Sequence, residues 1–135
     1  MGMKTIGRFT YDSSTPEAIA VGGNILVPQQ TVSTRCLSCD GGVITINRCG
    51  VYEISANFTF AATAAGAIET IMYRNGNAVS GAYASSTAAA IGDYLPQTIN
   101  AVITVPQNAP IAQIVFRATN ATSVRAANII VTKVA

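Results

Sequence analysis

The chain has 135 residues, eight basic and six acidic side chains, a net charge of +2, and no histidine or tryptophan. Its length suits one domain, and its cations (Lys4, Arg8, Arg35, Arg48, Arg74, Arg117, Arg125 and Lys133) form no run, which argues against nucleic acid as a partner. Only 10% of the residues are charged, against roughly 25% in an average soluble domain; a lone monomer of this kind would be poorly protected, so burial of part of its surface between copies is expected.

Residues 1–10 lack the apolar stretch of a secretion signal, so synthesis in the cytoplasm is expected. Residues 1–35 differ from the remainder. Residues 4–11 are expected as a strand and Asp12-Ser13-Ser14-Thr15-Pro16 as a turn. Two short apolar pieces, Ile19-Ala20-Val21 and Ile25-Leu26-Val27, are punctuated by Gly22-Gly23-Asn24 and Pro28. This segment reads as an irregular arm or edge strands that would anchor the protein on a neighbour, or as the first strand of the domain's own sheet. Residues 36–135 form the head domain.

In the head, Asp40-Gly41-Gly42 is a turn, residues 43–46 a short strand and residues 47–50 another turn. The clearest signal follows. Tyr52, Ile54, Ala56, Phe58 and Phe60 alternate with Glu53, Ser55, Asn57 and Thr59, the two-residue period of a half-buried strand. Residues 61–66 connect to a strand over 67–74. Asn75-Gly76 then predicts a hairpin turn with positive φ at both positions, returning along 77–83. Residues 84–92, rich in alanine, serine and threonine, are expected as a loop. Strands follow over 97–105, where Ile99, Ala101, Ile103 and Val105 repeat the alternation, then 111–119 and 124–134. The alanine stretches favour helix by propensity, but they are short and carry no apolar stripe. The apolar stretch 58–68 is interrupted by Thr59, Thr63 and Gly66 and is too short to span a bilayer, so no membrane partner is expected.

About eight strands predict an all-β, antiparallel two-sheet jelly-roll sandwich, with Tyr52, Ile54, Phe58, Phe60, Ile103, Ile114, Phe116 and Ile129 in its core. An immunoglobulin-like sandwich fits the same periodicity, but tryptophan is absent and the cysteines are confined to residues 36–49.

Little here suits catalysis, and no catalytic residue and no cofactor are expected. Cys36-Leu37-Ser38-Cys39 has the spacing of a redox pair or half a zinc site, with Cys49 nearby. No histidine completes a metal set, and the segment lies in a turn before antiparallel strands. The expected states are therefore thiols, or one disulfide joining Cys49 to Cys36 or Cys39. Glu53 and Glu69 fall on strands expected to be adjacent and would form a carboxylate pair only if a cleft enclosed them; marking polar faces, or pairing with Arg74 or Arg117, is the plainer expectation. Asn57 and Asn120 match the glycosylation pattern, read here as chance. Tyr73, Tyr83 and Tyr94 would line a carbohydrate or protein surface, or simply pack as strand aromatics.

The strand Gly50-Val51-Tyr52-Glu53-Ile54-Ser55-Ala56, the strand end Tyr73-Arg74-Asn75-Gly76 and the late strand Ile129-Ile130-Val131 together resemble the tumour-necrosis-factor-like jelly roll, the fold of the complement globular head. The resemblance covers residues 36–135. The chain departs from the pattern at Lys133-Val134-Ala135, where an aromatic is usual, and no collagen repeat precedes the head. Relatives of this kind include heads of collagen-like spore-surface glycoproteins and proteins that decorate phage particles. The resemblance implies a homotrimer, with Val102, Val115 or Ile130 on the second faces of their strands at the axis. It also implies a non-enzymatic structural role on a phage virion, as a capsid decoration or head-fibre protein, with the major capsid protein held through residues 1–35. The alternative is a receptor- or carbohydrate-binding head of a tail tip or spore surface. Its contacts would come from Tyr83, Ser85, Ser86, Thr87 and Asp93 in one loop and Asn120 and Thr122 in another.

Overall fold

A computed structural model describes residues 5–19, 23–25, 29–33, 36–108, 111–120 and 122–135. Its ten strands are β1 (Ile6–Ile19), β2 (Gln29–Ser33), β3 (Leu37–Asp40), β4 (Val43–Ile46), β5 (Gly50–Ala61), β6 (Gly66–Arg74), β7 (Asn77–Ala88), β8 (Tyr94–Val105), β9 (Ala112–Ala118) and β10 (Thr122–Lys133). They form two five-stranded sheets, in the orders β2-β1-β10-β5-β8 and β3-β4-β9-β6-β7. Every recorded pairing is antiparallel. The architecture is the jelly-roll sandwich that the alternation predicts.

The core lies between the sheets. Tyr52, Ile54, Phe58, Phe60, Ile103, Ile114, Phe116 and Ile129 are all buried there, as expected. The Phe58 ring meets Phe116 of the opposite sheet edge-on, with centroids 5.3 Å apart, a favourable aromatic geometry. The Asn-Gly hairpin also forms as predicted, with φ of 49° at Asn75 and 86° at Gly76.

Two expectations are corrected. First, residues 84–88 are not loop. They continue β7, with Ala84 to Ala88 opposite Thr70 to Gly66. The small side chains show no period of their own, and pairing with β6 decides their conformation. Second, the turn-rich stretch 12–16 lies within β1, as an irregularity in its register against β10 between Asp12 and Glu17. Among the described residues β2 pairs with β1 only from Gly7 to Thr10.

Of the two readings of residues 1–35, the described part follows the second, as strands of the head's own sheet rather than a separate arm. β1 sits between β2 and β10, and Phe9 and Ile25 are core residues. Asn24 bridges to Arg117, and the Ile25 N–H donates to the Phe116 carbonyl at 2.8 Å, along the side of β9 that β4 leaves open. Ala20, Val21, Gly22, Leu26, Val27 and Pro28 lie outside the described residues.

Candidate functional site

Two surfaces stand out. The first is the outer face of the sheet containing β1, β10, β5 and β8. Register aligns its outward side chains in rows across the four strands. One row is Ile6, Thr132, Glu53 and Val102; the next is Arg8, Ile130, Ser55 and Asn100; a third is Thr10, Asn128, Asn57 and Thr98. Cross-strand neighbours of this kind interact directly. Arg8 Nε donates to Asn128 Oδ1 at 2.7 Å, and Thr98 Oγ1 donates to Asn57 Oδ1 at 2.9 Å. Near the upper end Arg125 pairs with Asp12. Charge is confined to a few positions, and the remainder is small and polar or aliphatic.

Of the residues expected at an assembly axis, Ile130 and Val102 lie on this face. Val102 is 64% exposed and stands on the edge strand β8; Ile130 is half-buried on β10. Val115 does not join them. It belongs to β9 of the other sheet and is itself buried, so it is corrected out of the set.

The second surface is the upper end of the sandwich. There the connections 62–65, 89–93 and 119–121 come together: the Ala62 N–H donates to the Asp93 carbonyl at 2.9 Å and the Gly92 N–H to the Ala62 carbonyl at 2.7 Å. Its rim of Ala64, Ala65, Ala67, Ala89 and Ala90 is exposed, beside Ile91 at 75% and Tyr94 at 61%. Charge enters it at Asp93, which holds the 89–93 loop, and at Arg125 beside Tyr94. Sequence reasoning passed over this apolar rim, for which the alanine runs at 64–67 and 88–90 are the only signal.

The residues expected to bind a ligand separate in the structure. Tyr83, Ser85 and Thr87 are exposed along β7, a strand rather than a loop. Ser86 Oγ accepts from Gln97 Nε2 at 2.7 Å, inside a network that joins the sheets. Asp93 Oδ2 accepts from the N–H groups of Ala89 and Ala90, both at 3.0 Å, so this carboxylate holds its own loop. Asn120 is exposed, and its Nδ2 donates to the Ala67 carbonyl. Thr122 is fully buried, with its hydroxyl near the Ala61 carbonyl, and cannot contact a ligand.

The carboxylate pair is corrected too. Glu53 projects from the outer face of β5 and Glu69 from the outer face of β6, in different sheets, so the whole core separates them. Arg74 and Arg117 are engaged elsewhere. Arg74 Nη2 donates to the Thr104 carbonyl at 2.6 Å. Arg117 Nε donates to Asn24 Oδ1 at 2.9 Å, and its guanidinium stacks 5.0 Å above the Tyr73 ring.

Cys36, Cys39 and Cys49 are half-buried and none is in a disulfide. Burial pushes the Cys39 thiol up, with Asp40 adding to the shift and a hydrogen bond from the Gly42 backbone opposing it. A raised thiol is a weaker nucleophile and a weaker metal ligand at neutral pH. Among the described residues no three Cys, Asp or Glu side chains gather into a metal-binding set.

No family model matches the sequence, and no curated protein matches it. Solved structures do match in shape. The Eiger tumour necrosis factor of S. frugiperda superposes with a TM-score of 0.80 at 12% identity, over 98% of this chain and 93% of that one. The globular domain of zebrafish complement 1qA gives 0.71 at 8% identity, over 98% of each chain. Murine APRIL gives 0.71 at 12% identity, over 98% of this chain and all 100% of that one. Identities this low speak to fold alone, and the fold is the tumour-necrosis-factor-like jelly roll.

Proposed function

We propose that this chain is a non-enzymatic head module that works as a homotrimer, with the outer face of the β1-β10-β5-β8 sheet turned toward the threefold axis. One observation carries the reading: four adjacent strands present aligned rows of small, mostly uncharged side chains, with Ile6, Ile130 and Val102 among them. A monomer gains nothing from an exposed face so poor in charge, whereas a closed assembly covers it. The likeness in fold to tumour necrosis factor and complement heads supports a head that displays binding surfaces rather than a catalytic cleft.

The finer reading is a structural protein of a phage virion, a capsid decoration or head-fibre trimer held by the major capsid protein. It is supported by the resemblance of Gly50–Ala56 and the Asn75-Gly76 hairpin to such proteins and by the sparsity of charge. Because β1 is built into the sheet, attachment would use the exposed surface of the folded head rather than a detachable arm. The second reading is a receptor- or carbohydrate-binding head, favoured by the exposed Ile91 and Tyr94 on the upper rim.

Light scattering tests the assembly: a mass near three chains is expected, and a monodisperse monomer at micromolar concentration overturns it. Electron microscopy of the native particle separates the finer readings. Density for this chain on a capsid lattice supports decoration, density at a tail tip or spore surface supports the second reading, and a chain found only free in cytoplasm ends both.

A further inference from the structure

Along β6 the inward positions Ile68, Thr70 and Met72 are buried between the sheets. The next inward position is Arg74, where the pattern calls for another apolar residue. Its guanidinium crosses the mouth of the sandwich and donates from Nη2 to the Thr104 carbonyl on β8 at 2.6 Å. Among the described residues it makes no other hydrogen bond and no ion pair. Beside it opens a depression of about 400 Å3, lined by Arg74, Asn75, Asn77, Val79, Val102 and Thr104, with no acidic side chain in its walls.

The backbone adds donors to this mouth. β8 is an edge strand whose ladder partner is β5. The Thr104 carbonyl points to Arg74, away from β5. In an antiparallel pair both peptide groups of such a residue, and of the residue two positions along, open to the same side. The N–H groups of Thr104 and Val102 therefore face the depression without a ladder partner. Asn75 lines the depression while its Oδ1 accepts from the Gln113 N–H of β9 at 2.8 Å. Asn77 is exposed on the opposite wall, and Val79 and Val102 supply an aliphatic patch.

We propose that this mouth binds a carboxylate-bearing pyranose, an acidic sugar residue. The carboxylate meets the open side of the Arg74 fork and the edge N–H groups, an arrangement of charge-assisted hydrogen bonds. Ring hydroxyls meet the amide of Asn77, and the C–H face of the ring lies on Val79 and Val102. The volume falls at the small end of the range for ligand sites and exceeds what a lone carboxylate fills. Its lining comes from one protomer, and Val102, which also lies on the outer face assigned to the trimer, is the residue the two readings share.

The test is a titration of the isotopically labelled full chain followed by amide chemical shifts, with glucuronate, glucose and acetate as probes. Glucuronate and glucose share a ring and differ in the carboxylate; acetate has the carboxylate without the ring. Glucuronate is expected to move the amides of Asn77, Val79, Val102 and Thr104 and to bind about tenfold more tightly than either other probe. Arg74→Gln is expected to abolish the preference over glucose. Asn77→Ala, an exposed change that spares the fold, is expected to weaken glucuronate and leave acetate unaffected. Equal binding of acetate and glucuronate reduces the site to an adventitious ion contact and overturns the proposal. Equal binding of glucose, shifts confined to other residues, or an Asn77→Ala chain that binds glucuronate like the parent also overturns it.

Discussion

Thr70 on β6 and Gln97 on β8 join the two sheets through the core: the Thr70 hydroxyl donates to Gln97 Oε1 at 2.6 Å. The Gln97 amide donates in turn to the Ile68 carbonyl at 2.9 Å and to Ser86 Oγ at 2.7 Å. Both side chains are buried, at 0% and 5% exposure, so water cannot replace a missing partner. A satisfied polar link of this kind fixes how one sheet sits on the other.

Removing one partner is therefore expected to cost more than removing both. Thr70→Val leaves Gln97 Oε1 without its donor in a dry site, at a cost of about 1–3 kcal/mol. Gln97→Leu orphans the Thr70 hydroxyl with a similar penalty. The double variant should recover part of the sum, and urea unfolding of all four chains measures the coupling. Strict additivity would show that the network does not act as a unit.

Gly42 links the N-terminal region to the β3–β4 hairpin. Its φ is 81°, and a Cβ there would stand 2.8 Å from the Ile25 carbonyl oxygen. Gly42→Ala is expected to destabilise by about 1–3 kcal/mol through backbone strain, added to the displacement of Ile25 from the core. Gly76→Ala supplies the comparison. Its φ is also positive, but nothing lies within 4 Å of the added carbon, so the smaller loss is expected there. Thermal unfolding of the two variants ranks them.

Tyr52 contributes to the alkaline decline in stability. Its hydroxyl donates to the Arg48 carbonyl at 2.7 Å. Burial pushes its pKa up; Cys36 and Cys49 push in the same direction, and Arg48 opposes them. The folded chain thus holds the phenolic proton more tightly than the unfolded chain does. The resulting stability is complete below the ordinary tyrosine value of about 10 and is lost as pH rises above it through the folded value. Tyr52→Phe should flatten this alkaline decline while costing about 1 kcal/mol at neutral pH for the lost hydrogen bond. Urea midpoints at about pH 8 and about pH 10.5, on either side of the ordinary tyrosine value, measure both effects.

Why some of this was readable and some was not follows from side-chain contrast. β5 alternates large apolar and polar residues, so its period and its core residues could be read directly. Asn75-Gly76 carries its own conformational requirement. Residues 84–88, Ala-Ser-Ser-Thr-Ala, have no period that would show a face, and only the ladder with β6 reveals a strand. The hydroxyls were harder still. Ser86, Thr122 and Ser85 look alike in sequence, yet the first completes a network joining the sheets, the second is buried and the third is exposed. Glu53 and Glu69 were misplaced for a related reason: the chain crosses from one sheet to the other between β5 and β6, and sequence order does not announce a crossover.

The integration of β1 predicts the outcome of truncation. Deleting residues 1–27 removes the strand between β2 and β10 and takes Phe9 and Ile25 from the core. Loss of one buried phenylalanine side chain alone costs about 3–5 kcal/mol, a large part of the stability of a typical domain. The truncated chain is expected to lose its cooperative unfolding transition. A transition at the parent's midpoint would mean that β1 is a dispensable addition after all.

Assembly is tested most directly at Ile130. It lies midway across the outer face, with Arg8 on one side and Ser55 on the other in register, and its half-buried side chain makes no contribution to the core on the opposite face of β10. Ile130→Glu would set a carboxylate into the interface of every protomer at once, where burial and like charges about an axis both oppose it. The variant is expected to keep the strand-rich circular dichroism of the parent and to fall to the mass of a single chain in light scattering. Glu69→Gln, on the outer face of the other sheet, should leave the mass unchanged. Retention of a three-chain mass by Ile130→Glu would move the interface off this sheet, whereas loss of the three-chain mass by Glu69→Gln would place it on the other one.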